Sequence, residues 1–76
     1  MEKMNVNIKT EYIKLDQLLK FSALAESGAM AKDMITDGIV SVNGEVCLMR
    51  GKKIRAGDTV DVEFEDETVE IEVGSE

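Results

Sequence analysis

Residues 14–44 read KLDQLLKFSALAESGAMAKDMITDGIVSVNG, and this stretch contains two helix patterns followed by a turn signal. In its first part, Leu15, Leu18 and Leu19 recur at the i, i+3 and i+4 spacing. Such spacing places an apolar stripe along one side of an α-helix. The sequence therefore predicts a first helix over about residues 15–23.

A second helix pattern follows after a short connection. Ser27 is a residue type that often caps a helix N-terminus, because its hydroxyl can accept a hydrogen bond from a free backbone N–H. Ala31, Met34 and Ile35 then share one helical face. Gly38 follows where a left-handed residue commonly ends a helix. We therefore expect two short helices joined by a tight turn.

The pair Asn43-Gly44 is a strong signal for a β-hairpin. Both central residues of a type I′ turn need positive φ, which Asn and Gly adopt more readily than other residues. The flanking residues 39–42 and 45–48 contain the apolar residue types of strands. A hairpin with Asn43-Gly44 at its tip is the prediction.

Alternating polar and apolar residues predict further strands at both ends of the chain. Residues 6–12 alternate with a period of two, and residues 59–73 form two such runs separated by acidic residues. The predicted fold class is α+β, with a short helix pair packed on a small, mostly antiparallel sheet. The length of 76 residues fits a single domain over residues 1–76.

Composition excludes most enzyme chemistry. The chain has no His and one Cys, so zinc sites, disulfide frameworks and His-based nucleophile relays cannot be assembled. Cys47 is interpreted as a small hydrophobe in a strand. We expect no enzyme activity, no cofactor, no metal and no small-molecule substrate. The start lacks the apolar region of a signal peptide, and no apolar run spans a bilayer, so we expect a cytoplasmic protein without membrane contact.

The net charge of −7 is unevenly distributed along the chain. Nine acidic residues and no Lys or Arg lie in residues 58–76, which leaves an excess of two positive charges in residues 1–57. Four of the six residues in 50–55 are cationic. The acidic strands are interpreted as a solvated face that discourages edge pairing. The basic loop either contacts a polyanion or pairs with the acidic hairpin of the same chain.

Three aromatic residues offer little for stacking on nucleic acid. Phe64 is predicted to lie in the core, and Tyr12 is predicted to be half-buried in its strand. Phe21 lies at the edge of the first apolar stripe and is predicted to pack rather than to be exposed. Single-strand binding on an aromatic platform is therefore not expected.

The order and spacing of residues 14–62 resemble the RNA-binding domain named after ribosomal small-subunit protein four, the S4 domain. The matching residues are Lys14, Leu15, Asp16, Leu18, Ser27, Ala31, Met34, Ile35, Gly38, Val40, Val42, Asn43, Gly44, Gly57 and Asp58. The chain is most similar to stand-alone bacterial members, which are associated with ribosomes or ribosomal RNA. The resemblance implies an αL-type fold and a non-enzymatic protein that binds structured RNA, with ribosomal RNA expected and a role in ribosome assembly.

The candidate RNA-binding residues combine this resemblance with the positions of the cations. A helix N-terminus and basic side chains can hold phosphates without reading base sequence. The candidates are Lys14, Lys20, Ser27, Lys32, Asn43, Gly44, Arg50, Lys52, Lys53 and Arg55. The family often has Arg at the positions of Lys14 and Gly28, so the loop is expected to carry more of the affinity.

A second interpretation is an acidic, protein-binding adaptor of β-grasp-like character. Asn43-Gly44 and the late acidic strands fit such a protein, and its acidic hairpin would bind a basic surface such as a ribosomal protein. Sulfur carriers of that type need a C-terminal Gly-Gly, whereas residues 73–76 read VGSE. Carrier chemistry is therefore not expected, and only the docking role remains as the alternative.

Overall fold

The chain alternates short strands with a single pair of helices. A computed structural model describes all of residues 1–76. The elements are β1 (Glu2–Ile8), β2 (Ile13–Lys14), α1 (Leu15–Phe21), α2 (Gly28–Thr36), β3 (Val40–Val42), β4 (Glu45–Val46), β5 (Lys53–Ile54), β6 (Thr59–Glu63) and β7 (Thr68–Ser75). No helix is long and apolar enough to cross a lipid bilayer.

Five strands form the main sheet in the order β1-β7-β6-β3-β4, and β2 pairs with β5 in a separate two-stranded sheet. All pairs are antiparallel except β1 with β7, which is parallel. In that parallel pair Glu2 lies opposite Val69 and Ile8 lies opposite Ser75. The predicted α+β class, with helices on a mostly antiparallel sheet, is confirmed.

The core lies between the helix pair and one face of the main sheet. Leu15, Leu18 and Leu19 of α1 have no exposed surface, as the first apolar stripe predicts. They belong to one cluster with Ala31, Met34 and Ile35 of α2, and with Ile54, Val40, Val60, Val62 and Ile71 from the strands. Full burial of such side chains stabilises the fold by about 1.5–3 kcal/mol each before the entropy of ordering is counted.

Both predicted boundary signals of α2 are present. The Ser27 hydroxyl oxygen accepts a hydrogen bond from the backbone N–H of Met30 at 3.1 Å. Asp37 is the C-cap residue, and Gly38 follows it with φ of 80°. Gly38 therefore supplies the left-handed conformation that ends the helix.

The predicted hairpin turn is also confirmed. Asn43 and Gly44 have φ of 50° and 88°, the positive values that a type I′ turn requires. The strands on either side are shorter than predicted, because β4 ends at Val46 rather than at residue 48. Cys47 therefore lies just after the strand, half-buried, and its N–H donates to the Val40 carbonyl at 2.9 Å.

The predicted strand over residues 6–12 is placed too late in the sequence. The strand is Glu2–Ile8, because its partner β7 ends at Ser75, opposite Ile8. Residues 9–12 alternate in polarity but have no strand to pair with. They form a turn instead, in which the Thr10 hydroxyl donates to the Tyr12 carbonyl at 2.8 Å.

The first helix ends at Phe21, two residues earlier than predicted. Ala23 has φ of 65°, which is outside the helical region, and the N–H groups of Leu24 and Ala25 both donate to the Leu19 carbonyl. Phe21 is the last residue of α1, lies off the buried leucine stripe and is 67% exposed, so the prediction that it packs is wrong. Phe64 is half-buried at the margin of the core rather than inside it.

Candidate nucleic-acid interface

The basic loop, residues 50–55, is held against the start of α1 by backbone hydrogen bonds. The N–H of Leu15 donates to the Lys52 carbonyl at 2.9 Å, and the N–H of Asp16 donates to the Arg50 carbonyl at 3.1 Å. These carbonyls satisfy N–H groups that a helix N-terminus otherwise leaves without partners. The pairing of β2 with β5 adds a second attachment. The loop therefore presents its cations from a fixed backbone.

Pairing of β2 with β5 sets two lysines opposite each other. Lys14 is the register partner of Lys53 in this antiparallel pair. Both side chains are exposed, and neither has a carboxylate within ion-pair distance, since the ion pair in the structure joins Lys3 and Glu70 at 3.7 Å. Like charges directly opposite each other destabilise a strand pair. This arrangement favours an external anion between or beside the two ammonium groups.

Tyr12 lies beneath two cations of the basic loop. The Lys53 Nζ is 4.9 Å from the ring centroid, and the Arg55 Cζ is 5.9 Å from it. Cation–π contacts of this kind contribute about 0.5–1 kcal/mol at exposed sites. Tyr12 is half-buried, as predicted, although it lies before β2 rather than in a strand. The contact of Tyr12 with these cations was not predicted from the sequence. The one sequence feature that points to it is the position of Tyr12 two residues before Lys14.

A hydrogen-bonded network ties the Asn43-Gly44 turn to the basic loop. The Asp58 carboxylate accepts from the Arg55 N–H at 2.8 Å and from the Asn43 side-chain amide at 3.1 Å. The Asn43 side-chain oxygen in turn accepts from the Thr59 N–H at 2.9 Å. The Arg55 N–H lowers the pKa of Asp58 most strongly, and the Asn43 amide and the Lys52 and Arg55 charges lower it further, against a rise from burial. Asp58 is therefore a charged anchor.

A groove of about 640 Å³ opens beside this network. Lys52, Lys53 and Arg55 line it, together with Asn43 and Asp58. Its apolar lining includes Val46, Leu48 and Met49, which are 60%, 60% and 69% exposed. The sequence prediction placed residues 45–48 in a strand and did not include Val46 or Leu48 among the candidate residues. The groove therefore combines cations with apolar surface.

The other candidate residues lie outside this groove. Lys20 and Lys32 are exposed on α1 and α2, and neither lines the groove. The Ser27 hydroxyl oxygen is occupied as the α2 cap. Arg50 is exposed and contributes its carbonyl to α1, and Gly44 is exposed at the tip of the turn. The groove thus brings together Asn43, Lys52, Lys53 and Arg55, and Lys14 lies outside its lining, opposite Lys53 in the β2–β5 pair.

The acidic hairpin forms a separate surface on β6 and β7. Asp61 lies opposite Glu70, which lies opposite Lys3 on β1. Asp61 is half-buried rather than fully solvated, and one of its carboxylate oxygens is buried without a hydrogen-bond partner. Burial, followed by the charges of Glu70 and Glu63, raises the pKa of Asp61. These carboxylates are not paired with the cations of the basic loop.

A short helix pair packed on a small, mostly antiparallel sheet is the fold that the sequence resemblance implies. A family profile described as S4 domain matches residues 6–72. The chain belongs to the S4 domain family, which confirms that resemblance.

Individual relatives agree with this assignment. The chain is 41% identical over 58 residues to a probable ribosome maturation protein, RlbA, of Bacillus subtilis, covering 76% of this chain and 82% of that one. It is 44% identical over 52 residues to the putative RNA-binding protein YbcJ of Escherichia coli, covering 68% and 74% of the two chains. The solution structure of YbcJ superposes on this chain with a TM-score of 0.59 at 35% identity, over 95% of this chain and 87% of YbcJ. That structure is described as revealing an αL motif involved in RNA binding.

Proposed function

We propose that this protein binds structured RNA through the groove formed by the basic loop and the Asn43-Gly44 turn. The RNA is ribosomal, the protein acts in the cytoplasm during ribosome assembly, and it has no catalytic role of its own. Membership of the S4 domain family supports RNA binding. The description of RlbA as a probable ribosome maturation protein supports the choice of ribosomal RNA.

The observation that carries this proposal is the unpaired charge at Lys14 and Lys53. Their side chains face each other without a carboxylate partner, on a backbone fixed by hydrogen bonds to α1. Phosphates of an RNA backbone would relieve the repulsion between them. Because the cations are already positioned, little backbone entropy is lost when the RNA binds.

The expected recognition depends on RNA shape more than on base sequence. Lysine and arginine contacts to phosphate position a nucleic acid but carry little sequence information. Structured RNA also presents 2′-hydroxyls and a shallow minor groove to a compact protein surface. The acidic hairpin and the net charge of −7 reduce general attraction to polyanions. We therefore expect weak binding to arbitrary duplexes and preference for a particular RNA fold.

The test is UV crosslinking of the tagged full chain in bacterial cells, followed by sequencing of the attached RNA. Lys52→Gln/Lys53→Gln is the binding variant, and Lys3→Gln/Ser75→Glu is the control with the same net charge. We expect enrichment of one ribosomal RNA region with wild type and with the control, and loss of that enrichment with the binding variant. Equal and scarce RNA from all three proteins would contradict the proposal and favour the acidic adaptor, whose protein partners would then be sought.

A further inference from the structure

Phe21 separates two shallow hollows on the side of the molecule next to α1. One hollow is lined by Ile13, Gln17, Lys20 and Phe21. The other shares Ile13 and Phe21 and continues to the turn after β1. With 67% of its surface exposed and no place in the core cluster, Phe21 contributes little to the packing of the fold. The side chain is therefore available to a ligand on this surface.

The groups around Phe21 suit a nucleotide. Lys20 and Gln17 lie on one side, and Lys9 and Thr10 line the hollow on the other. The ammonium groups can contact phosphate, while the amide and the hydroxyl can hydrogen-bond to a base edge or a 2′-hydroxyl. Glu76 is the one acidic residue in the lining. An aromatic ring with cations beside it is the combination that binds unpaired bases.

This surface and the basic loop both adjoin the same short helix, α1. Gln17 and Phe21 are four residues apart in α1, so they lie on the same face of the helix, and Lys14 directly precedes α1 as its N-cap residue. Lys14 stands opposite Lys53 of the basic loop. At a rise of 1.5 Å per residue, Phe21 is about 9 Å farther along the helix axis than Leu15, whose N–H donates to the Lys52 carbonyl of the basic loop. One RNA can therefore contact both places.

We propose that Phe21 stacks on an unpaired nucleobase of the RNA that occupies the basic groove. Gln17 hydrogen-bonds to this nucleotide, and Lys20 and Lys9 contact its neighbouring phosphates. This inference rests on the proposed function, because it places the nucleobase on the same RNA. It adds a preference for a structured RNA that carries an unpaired nucleotide next to its helix, over a continuous duplex.

The experiment uses the full chain and purified bacterial ribosomal RNA. After irradiation at ultraviolet wavelength and digestion with nuclease and trypsin, mass spectrometry locates nucleotide adducts. Cleavage after Lys20 and Lys32 releases a peptide that begins with Phe21, so an adduct on the ring is readily assigned. Filter binding compares Phe21→Leu, which keeps an apolar side chain without a ring, and Phe21→Trp, which keeps a ring. Thermal melts of each variant establish that it folds like wild type.

The expected result is an adduct on Phe21, a loss of affinity of about 5- to 20-fold for Phe21→Leu, and near-normal affinity for Phe21→Trp. This inference is overturned if no adduct forms on Phe21 and Phe21→Leu binds RNA with unchanged affinity. The Lys52→Gln/Lys53→Gln variant separates the two proposals. If it binds weakly while Phe21→Leu binds normally, only the inference fails. If it binds ribosomal RNA as wild type does, the proposed function fails.

Discussion

Replacing Asp58 by Ala removes the anchor between the hairpin turn and the basic loop. Two hydrogen bonds are lost, from the Arg55 N–H at 2.8 Å and from the Asn43 amide at 3.1 Å. Hydrogen bonds to a charged group are worth about 1.5–3 kcal/mol each, and Asp58 is only half-buried, so the lower values apply. We expect the free energy of unfolding to fall by about 2–3 kcal/mol. For a domain of this size the melting temperature would then fall by roughly 10–20 °C.

The effect of Asp58→Ala on RNA affinity distinguishes an anchor from a simple surface charge. Removing a carboxylate from a basic groove should strengthen binding to RNA if only charge matters. If Asp58 instead holds the loop in its binding conformation, affinity should weaken despite the more positive groove, and this is the result we expect. Differential scanning fluorimetry and filter binding with ribosomal RNA measure the two effects. An unchanged melting temperature, or tighter RNA binding, would show that Asp58 does not hold the basic loop in place.

The difference in stability between wild type and Asp58→Ala should depend on pH, because the pKa of Asp58 is lowered in the folded state. Because the pKa is lower in the folded than in the unfolded state, the ionised carboxylate stabilises the fold at pH values above its ordinary value of 3.8. That stabilisation disappears as the pH falls through the folded pKa. We therefore expect wild type and Asp58→Ala to differ most near neutral pH and to converge in acid. A constant difference from pH 7 to pH 2 would contradict the assignment of a charged anchor.

Three further predictions concern charge and capping. Lys52→Gln/Lys53→Gln should make the slope of log affinity against log salt shallower by about 1.4–1.8, since each lost phosphate contact removes about 0.7–0.9. An unchanged slope in a salt titration would place these lysines away from the RNA. Asp61→Asn should stabilise the protein by about 0.2–1 kcal/mol at pH 7, because Asp61 faces Glu70. The pKa of Asp61 is raised, so the folded state favours the protonated carboxyl, and the gain in stability should vanish below pH 3.8. Urea unfolding at several pH values measures this gain. A gain that persists in acid would have another cause. Ser27→Ala should lower stability by about 1 kcal/mol through loss of the α2 cap, and a control Ser27→Asp should restore it, as thermal melts would reveal.

Local signals in the sequence were sufficient for the helices and the hairpin turn. Ser27, Gly38, Asn43 and Gly44 each specify a backbone conformation through a nearby hydrogen bond or a positive φ. Such effects act within a few residues, so they can be recognised without knowledge of the rest of the fold. The apolar stripe on α1 is equally local, and its three leucines are fully buried.

Features that depend on distant parts of the chain could not be predicted in this way. The end of β1 at Ile8 is set by the end of its partner β7, which is far away in sequence. The contact of Tyr12 with Lys53 and Arg55 exists only because β2 pairs with β5. The candidate cations of the loop were recognised from their density, but their fixed backbone depends on hydrogen bonds to α1 that no local pattern reveals.

The parallel pairing of β1 with β7 determines when the sheet can close during synthesis. β1 leaves the ribosome first, yet its partner is made about sixty residues later, several seconds at about 5–20 residues per second. Until then, Val6 and Ile8 have no adjacent strand, and β6 has an unpaired edge. The nascent chain therefore passes through a stage in which the helix pair and the β3–β4 hairpin can form while β1 is still unpaired. Substitutions in β1 should consequently affect the last step of folding more than its start.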